Sequence, residues 1–319
     1  FNDPVQYAQG PIYEGTDVDI DALPDAIDMS EYGVLDEVKS VERALAPLEH
    51  NTKIIPVALD INKLITELNE NRPDIIFNLC ESVDGDPTQE MNIAGLFELF
   101  KIPYTGSRAF TLGLALNKPL VKSILSQNGI PTAKHFVTST SGIHLNGHKF
   151  PMIVKPSRED ASIGISENSV VNSYGEFKKH FKFLSETYNK SLIVEEYIVG
   201  RELNCAVLGD KPLPISEIDF TGLPEGLPKI VTYDGKWIEG STYYNFTKPV
   251  CPANISADVK KKVEELAKKA YKALGCRDYA RVDVRVSNDG TPYVIEINPN
   301  PDVSSDSGFA RAAAASGKS

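Results

Sequence analysis

The 319-residue chain is poor in cysteine, in basic charge and in long apolar runs, and each shortage closes off a class of function. Its four cysteines, Cys80, Cys205, Cys251 and Cys276, stand alone, with no CxxC pair and no histidine nearby. That spacing argues against a zinc site or a disulfide framework and predicts buried, reduced thiols in a cytoplasmic protein. Lys and Arg number 33 against 44 Asp and Glu, a formal net charge of −11. Nucleic acid is therefore not the expected partner, because phosphate backbones call for a basic footprint. A local basic pocket for a nucleotide stays open. No apolar run approaches the roughly 18 residues that would suggest a membrane span, and no signal peptide is visible, so no membrane partner is expected. A Walker A loop is also missing, since Ser316-Gly-Lys-Ser319 has Ala312 where the earlier glycine belongs. His144 and His148 are four apart in a loop-like stretch, a spacing best read as chance.

What is present is an ordinary globular composition, 41% hydrophobic and 24% charged, in a chain long enough for two or three domains. The first part alternates in the βα manner. A helix is expected over Val34–Leu48, a strand over Lys53–Leu59, a helix over Ile61–Asn69 capped by Asp60, a strand over Asp74–Leu79, and a helix over Thr88–Phe100. The chain begins at Phe1 without methionine, so a short N-terminal piece carrying the first strand is expected to be missing. A helix from Lys118 stops at Gly129-Ile-Pro131. Strands His135–Thr138 and Phe150–Lys155, helix Tyr174–Tyr188, and strands Leu192–Tyr197, Arg201–Leu208 and Ile215–Phe220 follow. Helix Ala257–Leu274 carries Val259, Val263, Leu266, Ala270, Tyr271 and Leu274 on one stripe. The Ala-rich tail from Gly308 reads as a further helix.

Between that long helix and the tail, Asp289-Gly290 signals a two-residue hairpin turn. Closed there, the hairpin sets Asp283 opposite Glu296 and Arg281 opposite Asn298. Its other face carries Val282, Val284 and Val286 against Ile297, Ile295 and Tyr293. Opposed carboxylates repel, and a divalent cation turns that penalty into a site. Oxygen donors from Asp, Glu and Asn suit magnesium. A solvated hairpin face with two unrelated acids is the other reading.

Upstream, the apolar strand ending in Lys155 runs into a small-residue loop with Ser162 and Gly164. A lysine closing a buried strand wants an anion, and such a loop can offer backbone N–H groups to phosphate. A surface lysine at a strand end is the alternative. Leu192-Ile-Val-Glu195-Glu196-Tyr-Ile198 places acids at a strand edge, fit for adenine or ribose or simply for water. Lys236-Trp237 lies in an aromatic-rich loop, either a lid or plain surface.

The order of these pieces resembles the ATP-grasp superfamily, and more closely the D-alanine–D-alanine ligase family. Ile102-Pro-Tyr-Thr-Gly-Ser107, Lys155-Pro-Ser-Arg-Glu159, Gly200-Arg-Glu202, Pro252-Ala and Ala280-Arg-Val-Asp283 are similar to that family's phrases, from about Asp74 to the end. The resemblance implies an α/β protein of ATP-grasp fold. An N-terminal open parallel-sheet domain would span residues 1–117, a small central domain 118–200, and a C-terminal domain with the metal site 201–319, with ATP clamped between two sheets. It implies that Lys118, Lys155 and Ser162 meet ATP phosphates, that Glu195, Glu196 and the Ile198 backbone hold adenine, and that Glu202 binds ribose. Asp283, Glu296 and Asn298 would hold two magnesium ions, which manganese can replace. Arg281 would stabilise the transferred phosphoryl group, and Lys236 and Ser307 would take the second substrate's carboxylate. The implied reaction joins a small carboxylate and an amine, amino acids foremost, through an acylphosphate, releasing ADP and phosphate. The resemblance also admits a homodimer.

Three positions depart from the family. Its phosphate-loop Ser is Ala161, its Tyr after the loop lysine is Trp237, and its Gly beyond the metal ligands is Asp302. Its acidic N-terminal signature is not recognisable in Phe1–Gly15, where Glu14 is the only loose candidate. The altered substrate end leaves open a ligase for another acid and amine pair, a nucleotide-binding protein without ligase activity, or a kinase that stops at phosphorylation.

Overall fold

The computed structural model describes residues 1–2, 29–138, 145, 147–188 and 191–318; His144 and Glu14 lie outside them. In the N-terminal region, helices α1 (Met29–Leu45), α2 (Ile61–Glu70), α3 (Glu90–Leu99) and α4 (Ala109–Ala115) follow one another. The apolar faces of α2, α3 and α4 meet in one core, where Leu64, Leu68, Ile93, Phe97 and Leu112 pack with Val57, Ile102 and Tyr104. The strands expected over 53–59 and 74–79 reduce to two isolated parallel bridges among the described residues, Asn2 with Val57 and Ile76 with Tyr104. Pro56 has no N–H to give a ladder. The Asn78 N–H goes to the Thr105 hydroxyl (3.0 Å) instead of a neighbouring carbonyl. Asp60 does occupy the N-cap of α2, but its side chain makes no capping bond.

Helix α5 (Lys118–Gln127) opens where the Asn117 side chain accepts the Leu120 N–H at 3.3 Å. Four strands then form the smaller sheet: β1 (His135–Thr138), β2 (Met152–Pro156), β3 (Val170–Val171) and, after helix α6 (Tyr174–Tyr188), β4 (Leu192–Glu196). The order is β1-β4-β2-β3, every pairing antiparallel. Strand alternation turns Met152, Val154 and Val194 onto Phe177, Phe181 and Leu184 of α6. The same alternation sends Ile153, Lys155 and Glu195 to the opposite face.

The larger sheet collects β5 (Gly200–Leu208), β6 (Lys211–Pro212), β7 (Ser216–Asp219) and, after the short helices α7 (Tyr233–Trp237) and α8 (Thr242–Phe246), β8 (Lys248–Val250). Helix α9 (Ala257–Leu274), strands β9 (Tyr279–Ser287) and β10 (Pro292–Asn298), and helix α10 (Gly308–Ala315) complete it. Strand order is β10-β9-β5-β7-β8, with β6 beside β5. Helix α9 starts under a Ser256 cap (3.3 Å to the Val259 N–H) and ends at Gly275 in the left-handed conformation. Its stripe of Val263, Leu266, Ala270 and Leu274 covers one sheet face through Leu203, Val282, Val284 and Val294.

The β9–β10 hairpin pairs Asp283 with Glu296 and Arg281 with Asn298, as the turn signal predicted. It arrives there by a different route. Ser287, not Asn288, closes the loop, donating its N–H to the Thr291 carbonyl (3.0 Å), and Gly290 takes φ +83° in a three-residue loop. That shifts the pairing by one residue, so Val294 faces Val284 and Tyr293 faces Arg285. A bulge at Ile295 then restores the expected register at Glu296. The core face is therefore Val294 and Ile297; Tyr293 and Ile295, expected there, are only half-buried.

Candidate active site

Between the two sheets lies a cavity of about 790 Å³. Its floor is the face of the larger sheet that α9 does not cover. Cross-strand pairing sets the polar residues there in rows, because directly opposed residues share a face. One row is Glu296, Asp283, Asn204 and Ser216; the next, two residues along, begins Asn298 and Arg281; a third contains Arg285, Glu202 and Ile218. Asp283 is 6% exposed, and it accepts from Arg281 Nε (2.8 Å) and Nη2 (3.0 Å) and from Asn204 Nδ2 (2.6 Å). The carboxylate beside Arg281 raises its guanidinium pKa against the opposing pull of burial. The Asn298 side-chain oxygen accepts the Asn300 N–H at 2.9 Å.

Helix α5 and the smaller sheet supply the cations. Lys118, from the first turn of α5, reaches Glu296 Oε1 at 3.1 Å and donates to the Glu159 carbonyl. Burial would raise the Glu296 carboxyl, but Lys118, Lys155 and Lys236 overcome it and hold it at about 2. The anion that Lys155 wants is internal: Glu195, on the adjacent strand, at 3.0 Å. The other Glu195 oxygen lies 3.0 Å from Lys122 Nζ, and Lys122 and Glu195 are each 2% exposed. Burial pushes Glu195 up and the two ammonium groups pull it below the usual carboxylate range. Both Glu195 oxygens are thus committed to lysines, while Glu196 and Ile198 line the cavity beside it. Glu202 pairs with Arg285 Nη1 at 2.8 Å, although burial leaves its carboxyl raised.

The far end is built from loops and the ends of helices and is acidic. Ala161 and Ser162 both hold positive φ, +52° and +63°, a conformation that is uncommon for residues with a side chain. The Trp237 indole N–H donates to the Ala161 carbonyl at 3.1 Å, tying α7 to this loop, and Lys236 beside it is exposed at the cavity edge. Ser307 lines the cavity, its hydroxyl accepting the Ala310 N–H (3.1 Å) as the cap of α10. Glu81, Glu90, Asp160 and Asp302 also line it. Burial raises the Glu90 carboxyl to about 8 despite a 3.0 Å bond from Asn300. Burial likewise raises Glu81, helped by the charges of Glu37, Glu90, Asp160 and Asp302.

The sequence pattern described as the D-ala D-ala ligase C-terminus matches residues 124–319. A D-alanine–D-alanine ligase B of Mesorhizobium japonicum is 34% identical over 255 residues, 77% of this chain and 76% of that protein. The chain belongs to the D-alanine–D-alanine ligase family. An uncharacterised protein of Sinorhizobium fredii is 29% identical over 245 residues, covering 77% of this chain and 70% of its own length. The crystal structure of the Bacillus anthracis D-alanine–D-alanine ligase complexed with ATP superposes with a TM-score of 0.69 at 25% identity. That match covers 89% of this chain and 87% of the other. The fold of such neighbours is ATP-grasp, and this chain shares it.

The residues expected to hold ATP, metal and the second substrate all line this one cavity, including Lys118, Lys155, Ser162, Lys236 and Ser307. Three further residues went unnoticed: Lys122, Asn204 and Arg285. Lys122 lies one helical turn after Lys118 and Arg285 two residues after Asp283, so the two periodicities already put them on those faces. Asn204 is two residues beyond Glu202, but its contact with Asp283 depends on the β5–β9 pairing, for which the local sequence carries no signal.

Proposed function

We propose that this chain is an ATP- and magnesium-dependent ligase of the D-alanine–D-alanine type, joining an amino-acid carboxylate to an amine in the cytoplasm. The observation that carries the reading is the facing pair Asp283 and Glu296, set on one sheet, with Lys118 of α5 and Lys155 of the other sheet lining the same cavity. Among the described residues no three His, Cys, Asp or Glu side chains cluster as a metal site. The donor set is therefore two carboxylates with Asn298. Such a set fits magnesium, which takes few protein ligands and completes its shell with phosphate and water oxygens. Bound there, magnesium would neutralise phosphate charge as ATP is cleaved.

The remaining roles follow from this chain's own groups. Lys118, Lys155 and the 161–164 backbone hold the phosphates. Glu195 holds Lys155 and Lys122 in position, and the 196–198 segment meets the base in its place. Glu202 binds ribose. A substrate carboxylate attacks the γ-phosphorus, giving an acylphosphate and ADP; an amine then attacks the acyl carbon, loses a proton and expels phosphate. Arg281 neutralises the oxyanions of both steps, and Lys236 and Ser307 receive the second substrate's carboxylate. Residues 1–117, 118–200 and 201–319 are the natural division for such a clamp.

The acidic far end and the Trp237–Ala161 bond favour a carboxylate substrate other than D-alanine as the second reading. A panel of amino acids assayed singly and in pairs for phosphate release tests both. Release with D-alanine alone supports the first reading, and release only with another pair supports the second. Nothing released from any pair would sink the ligase assignment. Asp283→Asn should lower turnover at least about a thousandfold in the active pair, the scale of losing a key electrostatic group.

A further inference from the structure

Arg285 is 4% exposed, and all three of its guanidinium nitrogens donate to protein oxygens. Its Nε donates to the Ile198 carbonyl (2.6 Å), and its Nη1 to Glu202 Oε2 (2.8 Å) and the Lys229 carbonyl (2.8 Å). Its Nη2 reaches the Gly200 carbonyl (3.1 Å) and the Tyr197 hydroxyl (3.2 Å), and the guanidinium lies over the Tyr197 ring, 4.8 Å from its centre. One planar group therefore joins three things. They are the crossing from the smaller sheet to the larger at 197–200, the Glu202 carboxylate on β5, and the loop at Lys229.

The chain at the crossing cannot be adjusted freely. A Cβ on Gly200 would lie 2.0 Å from the Val286 carbonyl oxygen, so the linker passes against β9 at backbone contact. Arg285 sits one residue before Val286 and fastens that same passage from the side-chain face. With its donors spent on protein oxygens, the guanidinium has no fork left for a phosphate. Its remaining capacity is to fix where the oxygens point. Lysine cannot do this, because a single ammonium does not span Ile198 and Glu202 in a plane.

We infer that Arg285 is the positioning residue of the nucleoside end: it sets the Glu202 carboxylate and the 197–200 crossing together, so that ribose and base are read as one unit. The inference rests on the proposal that Glu202 meets ribose. It predicts that Arg285 acts on nucleotide selection and not on the substrate acids. The test compares ATP with 2′-deoxy-ATP and 3′-deoxy-ATP by calorimetric binding and by KM, in the wild-type protein, Arg285→Met and Arg285→Lys. Thermal melting is followed in parallel.

The wild-type protein should prefer ATP over at least one deoxynucleotide by about tenfold, the scale of one hydrogen bond to a charged group. Arg285→Met should raise the ATP KM about tenfold or more and bring that preference close to one, with the amino-acid KM unchanged. Arg285→Lys should lose most of the preference while keeping the fold, which leaves a reading if the methionine variant does not fold. A variant that loses ATP and deoxynucleotide binding by the same factor, or keeps the wild-type preference, would overturn the positioning role while leaving the nucleotide site intact. A wild-type protein that binds ATP without any ribose preference would overturn the Glu202 reading and this inference with it. One that binds no ATP would overturn the proposed function as well.

Discussion

The two ends of the cavity are made differently. The end proposed for metal and phosphate stands on strands and a helix terminus, and its charges are matched within the protein: Arg281 with Asp283, Lys118 with Glu296, and Lys122 and Lys155 with Glu195. The far end stands on loops and the ends of helices, with Ala161 and Ser162 at positive φ, and it gathers carboxyls that burial pushes upward. Paired charges on a sheet form a preorganised electrostatic surface, one that needs no rearrangement when charge develops. An end built from loops and short helix ends can change its residues without disturbing that surface, and it holds Ala161, Trp237 and Asp302, the three positions read from the sequence as departing from the family.

Breaking a pair at the rigid end should have the largest effect. Lys122→Met leaves the buried Glu195 with one partner, and removing a member of a buried ion pair costs about 3 kcal/mol or more. Chemical denaturation should show that loss, and Lys122→Met with Glu195→Gln should recover part of it; a single variant as stable as wild type would refute the charge-matched picture.

At the acidic end the contrast is sharpened by pH. Glu90 is raised to about 8 in the folded protein from an ordinary 4.5, so the folded state holds a proton that the unfolded chain gives up. Its contribution is fully present below pH 4.5 and is lost as pH rises toward 8, with a slope of about 1.4 kcal/mol per pH unit at most. Melting curves of wild type and Glu90→Gln, compared across that window, should diverge, the variant gaining relative stability with rising pH. Parallel curves would mean that Glu90 is ordinary.

The smallest effect belongs to Trp237→Phe, which removes the bond to the Ala161 carbonyl and nothing else polar. A net loss of about 1 kcal/mol should raise the KM of the acid substrate about fivefold and leave that of ATP in place. An equal rise in both would mean that α7 serves the whole cavity and not its substrate end.

The residues of the rigid end were legible in the sequence because two local periodicities display them. A strand repeats every two residues, so Arg281 and Asp283 share a face, and Asp289-Gly290 marks a turn near enough to oppose them to Asn298 and Glu296. That opposition was reached through a two-residue turn and an unbroken ladder, and the protein has neither: the longer loop and the bulge at Ile295 offset one another. The cost of the mistaken turn fell on Tyr293, Ile295 and Val294, whose faces were exchanged. The strands expected over 53–59 and 74–79 read as apolar runs, but their ladders depend on neighbours far along the chain.

By itself, then, the sequence determined which residues share a face on β9 and on the long helix α9, the order of the motifs, and through that order the family. The tertiary structure alone decided the partners: that Glu195 answers two lysines, that Asn204 meets Asp283, and that Arg285 closes on the crossing between sheets. Periodicity is a property of a few consecutive residues, whereas a buried charge takes its partner from whatever the packing of distant segments brings within about 3 Å. The bulge belongs to the same class. Beside it Val294 gives its N–H to the Pro131 carbonyl (2.9 Å) and receives Thr132 on its own carbonyl (2.8 Å), contacts from more than 160 residues away.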